Sequence, residues 1–81
     1  AKLVKKGPEK CAEKFGEEAI ELIVASVNKK KKDVISEAAD TLYHMFVLLR
    51  SKNISINEVL TELASREGIS GIEEKRKRNL E

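Results

Sequence analysis

The sequence has no tryptophan, one tyrosine, two phenylalanines, one cysteine, one proline and four glycines. Each scarcity removes a class of explanation. With Phe15, Tyr43 and Phe46 as its only aromatic side chains, the chain lacks the stacking platform on which single-stranded bases are held. A lone cysteine, Cys11, excludes an internal disulfide and fits a reducing compartment. So few glycines and prolines leave too little turn chemistry for a many-stranded sheet and favour long helices. Charge of one sign is missing too. Sixteen basic residues against 14 acidic ones give a net charge of +2, much of it at residues 29–32 and 75–78. Such runs read as a solvated turn and a solvated tail rather than a nucleic-acid surface. The longest unbroken apolar run, residues 45–49, falls far short of the roughly 20 residues a membrane span needs. No secretory pattern opens the chain. A cytoplasmic protein with neither a membrane nor a nucleic-acid partner is expected.

What is present is the composition of one globular domain, 41% apolar and 37% charged over 81 residues. A chain this short buries only about 60–65% of its extended surface on folding, so a second subunit is expected to contribute to its stability. Residues 1–6 read as the last turns of a helix, and part of that amino-terminal helix is expected to be missing from the single domain at 1–81. Gly7-Pro8 interrupts it, and Pro8 with Glu9 opens a second helix running to about Asn28. Gly16 lies inside that helix, either as a local weakness or where another group approaches closely. The lysines at 29–32 form the turn. Asp33 is expected to cap a third helix reaching roughly Ser51, with Asn53 as its exit residue. Ser55 and Glu58 spell a capping box, and Ile56, Val59, Leu60, Leu63 and Ala64 give a fourth helix its stripe. Gly68 and Gly71 bracket a further turn before a short basic segment.

Helical periodicity then separates the faces. On the second helix, Phe15, Ala19, Leu22 and Ile23 share one side, Glu17, Glu18 and Glu21 point the other way, and Ile20, Val24 and Val27 extend the apolar surface around one flank. The third helix is apolar around nearly its whole circumference except for a narrow strip of Glu37, Asp40, Thr41 and His44. A helix so wrapped is expected to be central or to be covered by a second subunit.

Glu18 and Glu21 are three residues apart, as are Glu37 and Asp40, which places each pair on one helix face. In an antiparallel hairpin the four carboxylates can converge. Close, unneutralised carboxylates repel and are costly to desolvate. A hard divalent cation resolves that conflict, and oxygen-only ligands favour Mg²⁺ or Mn²⁺. The plain alternative is a set of surface glutamates paired with lysines, of which Lys14 and Glu18 are an ordinary example at i,i+4.

The segments KGPEKCAEKFGEEAIELIVAS (residues 6–26), SEAADTLYHMFVLL (36–49) and REGISGIEEK (66–75) resemble the phosphoribosyl-ATP pyrophosphohydrolase family, within the wider all-alpha, MazG-like nucleotide pyrophosphohydrolases. The likeness covers nearly the whole chain. It implies an all-α antiparallel helical bundle completed by dimerisation, and a Mg²⁺-dependent conversion of phosphoribosyl-ATP to phosphoribosyl-AMP and pyrophosphate in histidine biosynthesis. It implies catalytic roles for Glu18, Glu21, Glu37 and Asp40, and metal binding by these four together with Glu17. It also admits a longer parent fused to a cyclohydrolase.

Lys6, Lys10, Lys14 and His44 are further candidates for substrate contact, each with a plain alternative as a solvated or interfacial side chain. Thr41 is expected to do no more than bond a helical carbonyl, and Cys11 to be a small helix residue. Three other functions stay open at this point. They are a related nucleoside triphosphate pyrophosphohydrolase, a non-enzymatic helical dimerisation module, and a weak nucleic-acid-binding module.

Overall fold

The computed structural model describes residues 2–67, and every element among them is helical. Helix α1 spans Lys2–Lys5, α2 spans Pro8–Asn28 and α3 spans Lys31–Ser51. Residues 56–67 form α4, helical to the last described residue. The turn expected at Gly68 and Gly71 and the basic segment at 75–78 lie outside the described residues.

The break between α1 and α2 is made by Gly7, whose φ of 96° lies in the left-handed region that a side chain disfavours. Pro8 follows in the first turn of α2, where its missing N–H costs nothing. Cys11 is fully buried one turn later and donates its thiol to the Leu3 carbonyl at 3.3 Å, tying α1 down. Gly16 has open space around it: a Cβ there would meet no atom within 4 Å. Among the described residues, no other helix of this chain approaches it closely.

The reversal between α2 and α3 is shorter than the four lysines suggested. Lys29 and Lys30 are both extended and turn the chain by themselves, so Lys31 and Lys32 join the helix. Asp33 therefore does not cap α3. Lys30 holds that position without a side-chain cap, and Asp33 sits in the first turn, where the helix dipole still favours its charge.

Both later boundaries follow the sequence signals. Asn53 takes a φ of 58°, its N–H bonds to Arg50, and the Ile54 N–H bonds back to Leu49 at 2.9 Å. That pair of bonds is a Schellman ending, which satisfies carbonyls the helix leaves open. Ser55 and Glu58 then exchange bonds as a capping box: the Ser55 N–H donates to the Glu58 carboxylate at 2.8 Å, and the Glu58 N–H to the Ser55 hydroxyl at 3.3 Å.

Helices α2 and α3 form an antiparallel hairpin, with Glu18 opposite Thr41 and Glu21 opposite Glu37. The buried residues of α2 are Cys11, Glu18 and Ala25, one every seven positions, and α3 buries Val47. The acidic side of α2 is the one turned toward α3. Glu18 points into the hairpin, whereas Ile23 is 63% exposed. The polar strip of α3 is turned the same way, because the Thr41 hydroxyl shares its proton between the Glu37 carbonyl of its own helix (2.8 Å) and the Glu18 carbonyl of α2 (3.0 Å). Thr41 thus joins the two helices, a role beyond the local bond expected of it. The hairpin buries Ala25 and Val47 beside these polar groups, and leaves Ile23, Val27, Ile35 and Leu42 outside.

Candidate metal centre and adjoining cleft

Carboxylate oxygens of Glu18, Glu21 and Glu37 all lie within 4.8 Å of one another. The hairpin produces this meeting: Glu18 and Glu21 are one turn apart on α2, and the antiparallel register sets Glu37 of α3 against them. Glu18 is only 9% exposed, and one oxygen of each of Glu18 and Glu37 is buried without a hydrogen-bond partner among the protein's atoms. Buried carboxylate oxygens are costly when left unpaired. Three anionic oxygen donors with unspent lone pairs fit a hard divalent cation, which takes carboxylates and retains waters. The donor set contains no sulfur.

The carboxylates already respond to one another. A proton on Glu21 gives Glu18 a hydrogen bond, and this is the largest influence holding the Glu18 carboxyl below the ordinary range; burial opposes it, while Lys14 and His44 reinforce it. Glu21 is pushed upward by the same shared proton, then by the nearby charges of Glu18 and Glu37 and by partial desolvation. The pair behaves as one unit that retains a proton longer than two separate carboxylates would.

The remaining candidates fall into different places. Asp40 is exposed and is not among the three carboxylates that meet within 4.8 Å, and Glu17 is exposed and faces Lys14 at 3.9 Å. Lys14 also reaches Glu18 at 3.4 Å, so it borders the cluster. Lys10 is exposed and paired with Glu13 at 3.4 Å, and Lys6 is exposed near the Gly7 break. His44 is half-buried beside the seam, with its Nδ1 buried and unpartnered.

A cleft of about 370 Å³ opens next to the cluster, within the range of small-molecule sites. Glu21 and Glu37 bound it at one end. Ile20, Val24 and Ala25 form an apolar wall, and Lys29, Asp33 and Ser36 stand at the end nearest the helix reversal. From the sequence Lys29 reads as part of a solvated turn, and nothing there marks Ser36. The signal for both was available only in the register, which places the start of α3 beside the last turn of α2.

Fold and site together define an all-helical bundle with a carboxylate centre suited to a divalent cation. The chain belongs to the phosphoribosyl-ATP pyrophosphohydrolase family, which matches residues 1–67. It is 58% identical over 78 residues to a phosphoribosyl-ATP pyrophosphatase of Dinoroseobacter shibae, an alignment covering 96% of this chain and 76% of that protein. The Paracoccus denitrificans phosphoribosyl-ATP pyrophosphatase is also 58% identical, over 96% of this chain and 72% of its own length. That of Rhodobacter capsulatus is 57% identical over 93% of this chain and 73% of its own length. No solved structure gives a significant match.

Proposed function

We propose that this protein hydrolyses phosphoribosyl-ATP to phosphoribosyl-AMP and pyrophosphate, the second step of histidine biosynthesis, as a Mg²⁺-dependent cytoplasmic homodimer. The observation that carries the reading is the meeting of Glu18, Glu21 and Glu37 in a member of this family. These three carboxylates are the cation ligands; Asp40, on the same helix as Glu37, and Glu17 are the further acidic candidates. Mn²⁺ suits the same oxygen donors. When bound, the cation withdraws charge from the phosphate oxygens and steadies the leaving pyrophosphate.

The chain's own groups divide the remaining work. Glu18, held ionised, supplies fixed negative charge within the hairpin. Glu21, exposed at the edge of the cluster, is placed to orient an attacking water. Lys14 stands at the border of the cluster, where its ammonium can meet a phosphate oxygen. Thr41 holds the two carboxylate-bearing helices in register.

The dimer is supported by what the single chain leaves uncovered. Ile23 and Val27, one turn apart on α2 and away from the cleft wall, are 63% and 78% exposed. Ile35, Leu42, Tyr43 and Phe46 on α3 are 42–59% exposed. Contiguous apolar surface of this kind marks an interface, and burying each such side chain is worth about 1.5–3 kcal/mol.

Pyrophosphate release from phosphoribosyl-ATP, with ATP and dUTP as comparators and with or without Mg²⁺, tests the reaction. Preferential Mg²⁺-dependent release from phosphoribosyl-ATP is expected. Equal or faster release from ATP or dUTP would reassign the substrate, and no release from any of them would favour the non-enzymatic bundle.

A further inference from the structure

The cleft beside the carboxylates is chemically graded. Its inner end is acidic, its wall is aliphatic, and its outer end is lined by Lys29, Asp33 and Ser36. Among the described residues Lys29 forms no ion pair; the lysines that do, Lys10 and Lys14, lie much earlier on α2. Lys29 is the first residue after α2 and follows Glu21 by eight positions, so about 10 Å of helix axis, from Glu21 to Asn28, lies between the two ends of the cleft.

This inference rests on the functional reading above. Phosphoribosyl-ATP differs from ATP in one respect, a second ribose phosphate attached to the base. The molecule therefore carries phosphate at both ends of a nucleoside: a triphosphate at one and a lone phosphate monoester at the other. With the triphosphate at the carboxylate centre, the nucleoside lies against Ile20 and Val24, and the monoester comes to the end where Lys29 stands.

We propose that Lys29 binds the distal phosphate monoester and so distinguishes phosphoribosyl nucleotides from nucleotides that lack it. The ammonium supplies charge-assisted hydrogen bonds to a dianionic group. Lys30, Lys31 and Lys32, exposed alongside it, raise the local positive potential. Asp33, the opposing charge at this end of the cleft, lies in the first turn of α3 and faces the monoester as a local cost. It also provides an acceptor for the hydroxyls of the added ribose.

Calorimetric titration of the whole protein with phosphoribosyl-AMP and with AMP, in the presence of Mg²⁺, reads this discrimination directly. The unsubstituted protein is expected to bind phosphoribosyl-AMP about tenfold or more tightly than AMP. Lys29→Gln should bring the two affinities to within about twofold, and Lys29→Arg should restore most of the difference. The KM for phosphoribosyl-ATP should rise about tenfold in Lys29→Gln. An unchanged affinity ratio in Lys29→Gln, in a protein that does hydrolyse phosphoribosyl-ATP, would overturn the assignment of Lys29 alone. Absence of hydrolysis by the unsubstituted protein would instead overturn the functional reading and this inference with it.

Discussion

The two sides of the α2–α3 hairpin are built from opposite materials. Beside the buried Ala25 and Val47, the inner seam holds Glu18, Glu37, Thr41 and His44, groups that a helix pair ordinarily turns to solvent. The outer faces carry Ile23, Val27, Ile35, Leu42 and Tyr43, all more than half exposed. A single chain arranged this way forgoes much of its hydrophobic stabilisation and encloses charge in its place. The inversion makes sense if each side awaits something: a cation for the seam, a second copy of the chain for the outer faces.

The largest effect should come from the seam. Glu37→Gln keeps shape and hydrogen-bonding capacity but removes one anionic ligand, so pyrophosphate release should fall by more than roughly 100-fold with the far-ultraviolet circular dichroism unchanged. Retained turnover would separate the buried carboxylates from the chemistry. The outer faces come next. Ile23→Glu leaves every contact within one chain nearly untouched, since Ile23 is 63% exposed. If the outer face is an interface, the change should shift the protein to monomers in sedimentation and cost about 1.5–3 kcal/mol per subunit. An Ile23→Glu protein with unaltered mass and stability would show that this face is simply solvated.

Two smaller changes sharpen the contrast between seam and surface. Thr41→Val keeps the volume but deletes the only side-chain hydrogen bond that crosses from α3 to α2 among the described residues, at a cost of about 1 kcal/mol in chemical denaturation. Gly16→Ala should stabilise by about 0.5–1 kcal/mol, because a Cβ there meets open space within a helix.

Much of this was legible in the sequence, and what escaped has a common cause. Helix limits followed from local signals: Gly7-Pro8 at one break, Asn53 and the Ser55–Glu58 box at another. Those signals act within a few residues, so no tertiary knowledge was needed. Asp33 misled because a capping residue type is only a preference. The extended conformation of Lys29 and Lys30 completed the reversal two residues early. The acidic centre was readable as two pairs at helical spacing, and Glu18, Glu21 and Glu37 do meet. Their convergence also fixed which side of α2 meets α3, since the carboxylates of two helices can approach only across the seam. Periodicity identifies a face but not how much of it a neighbour covers, so the 63% exposure of Ile23, on the apolar side of α2, could not be read in advance. The cleft at Lys29 escaped for a related reason, since it is lined by both helices and depends on their register.

The central claim is that the polar seam is a cation site, and the effect of Mg²⁺ on thermal unfolding as a function of pH tests it most directly. Glu21 has a raised pKa, so in the window just above the ordinary carboxylate range the folded chain holds more protons than the unfolded one. Without Mg²⁺, stability from this group should fall as pH rises through that window. Glu18 has a lowered pKa and works in the opposite sense, with stabilisation present above the ordinary range and lost as pH falls through its lowered value. Added Mg²⁺ should raise the Tm at neutral pH, and the increment should shrink as pH falls and Glu21 regains its proton. The same Tm with and without saturating Mg²⁺ across the whole pH range would contradict the account.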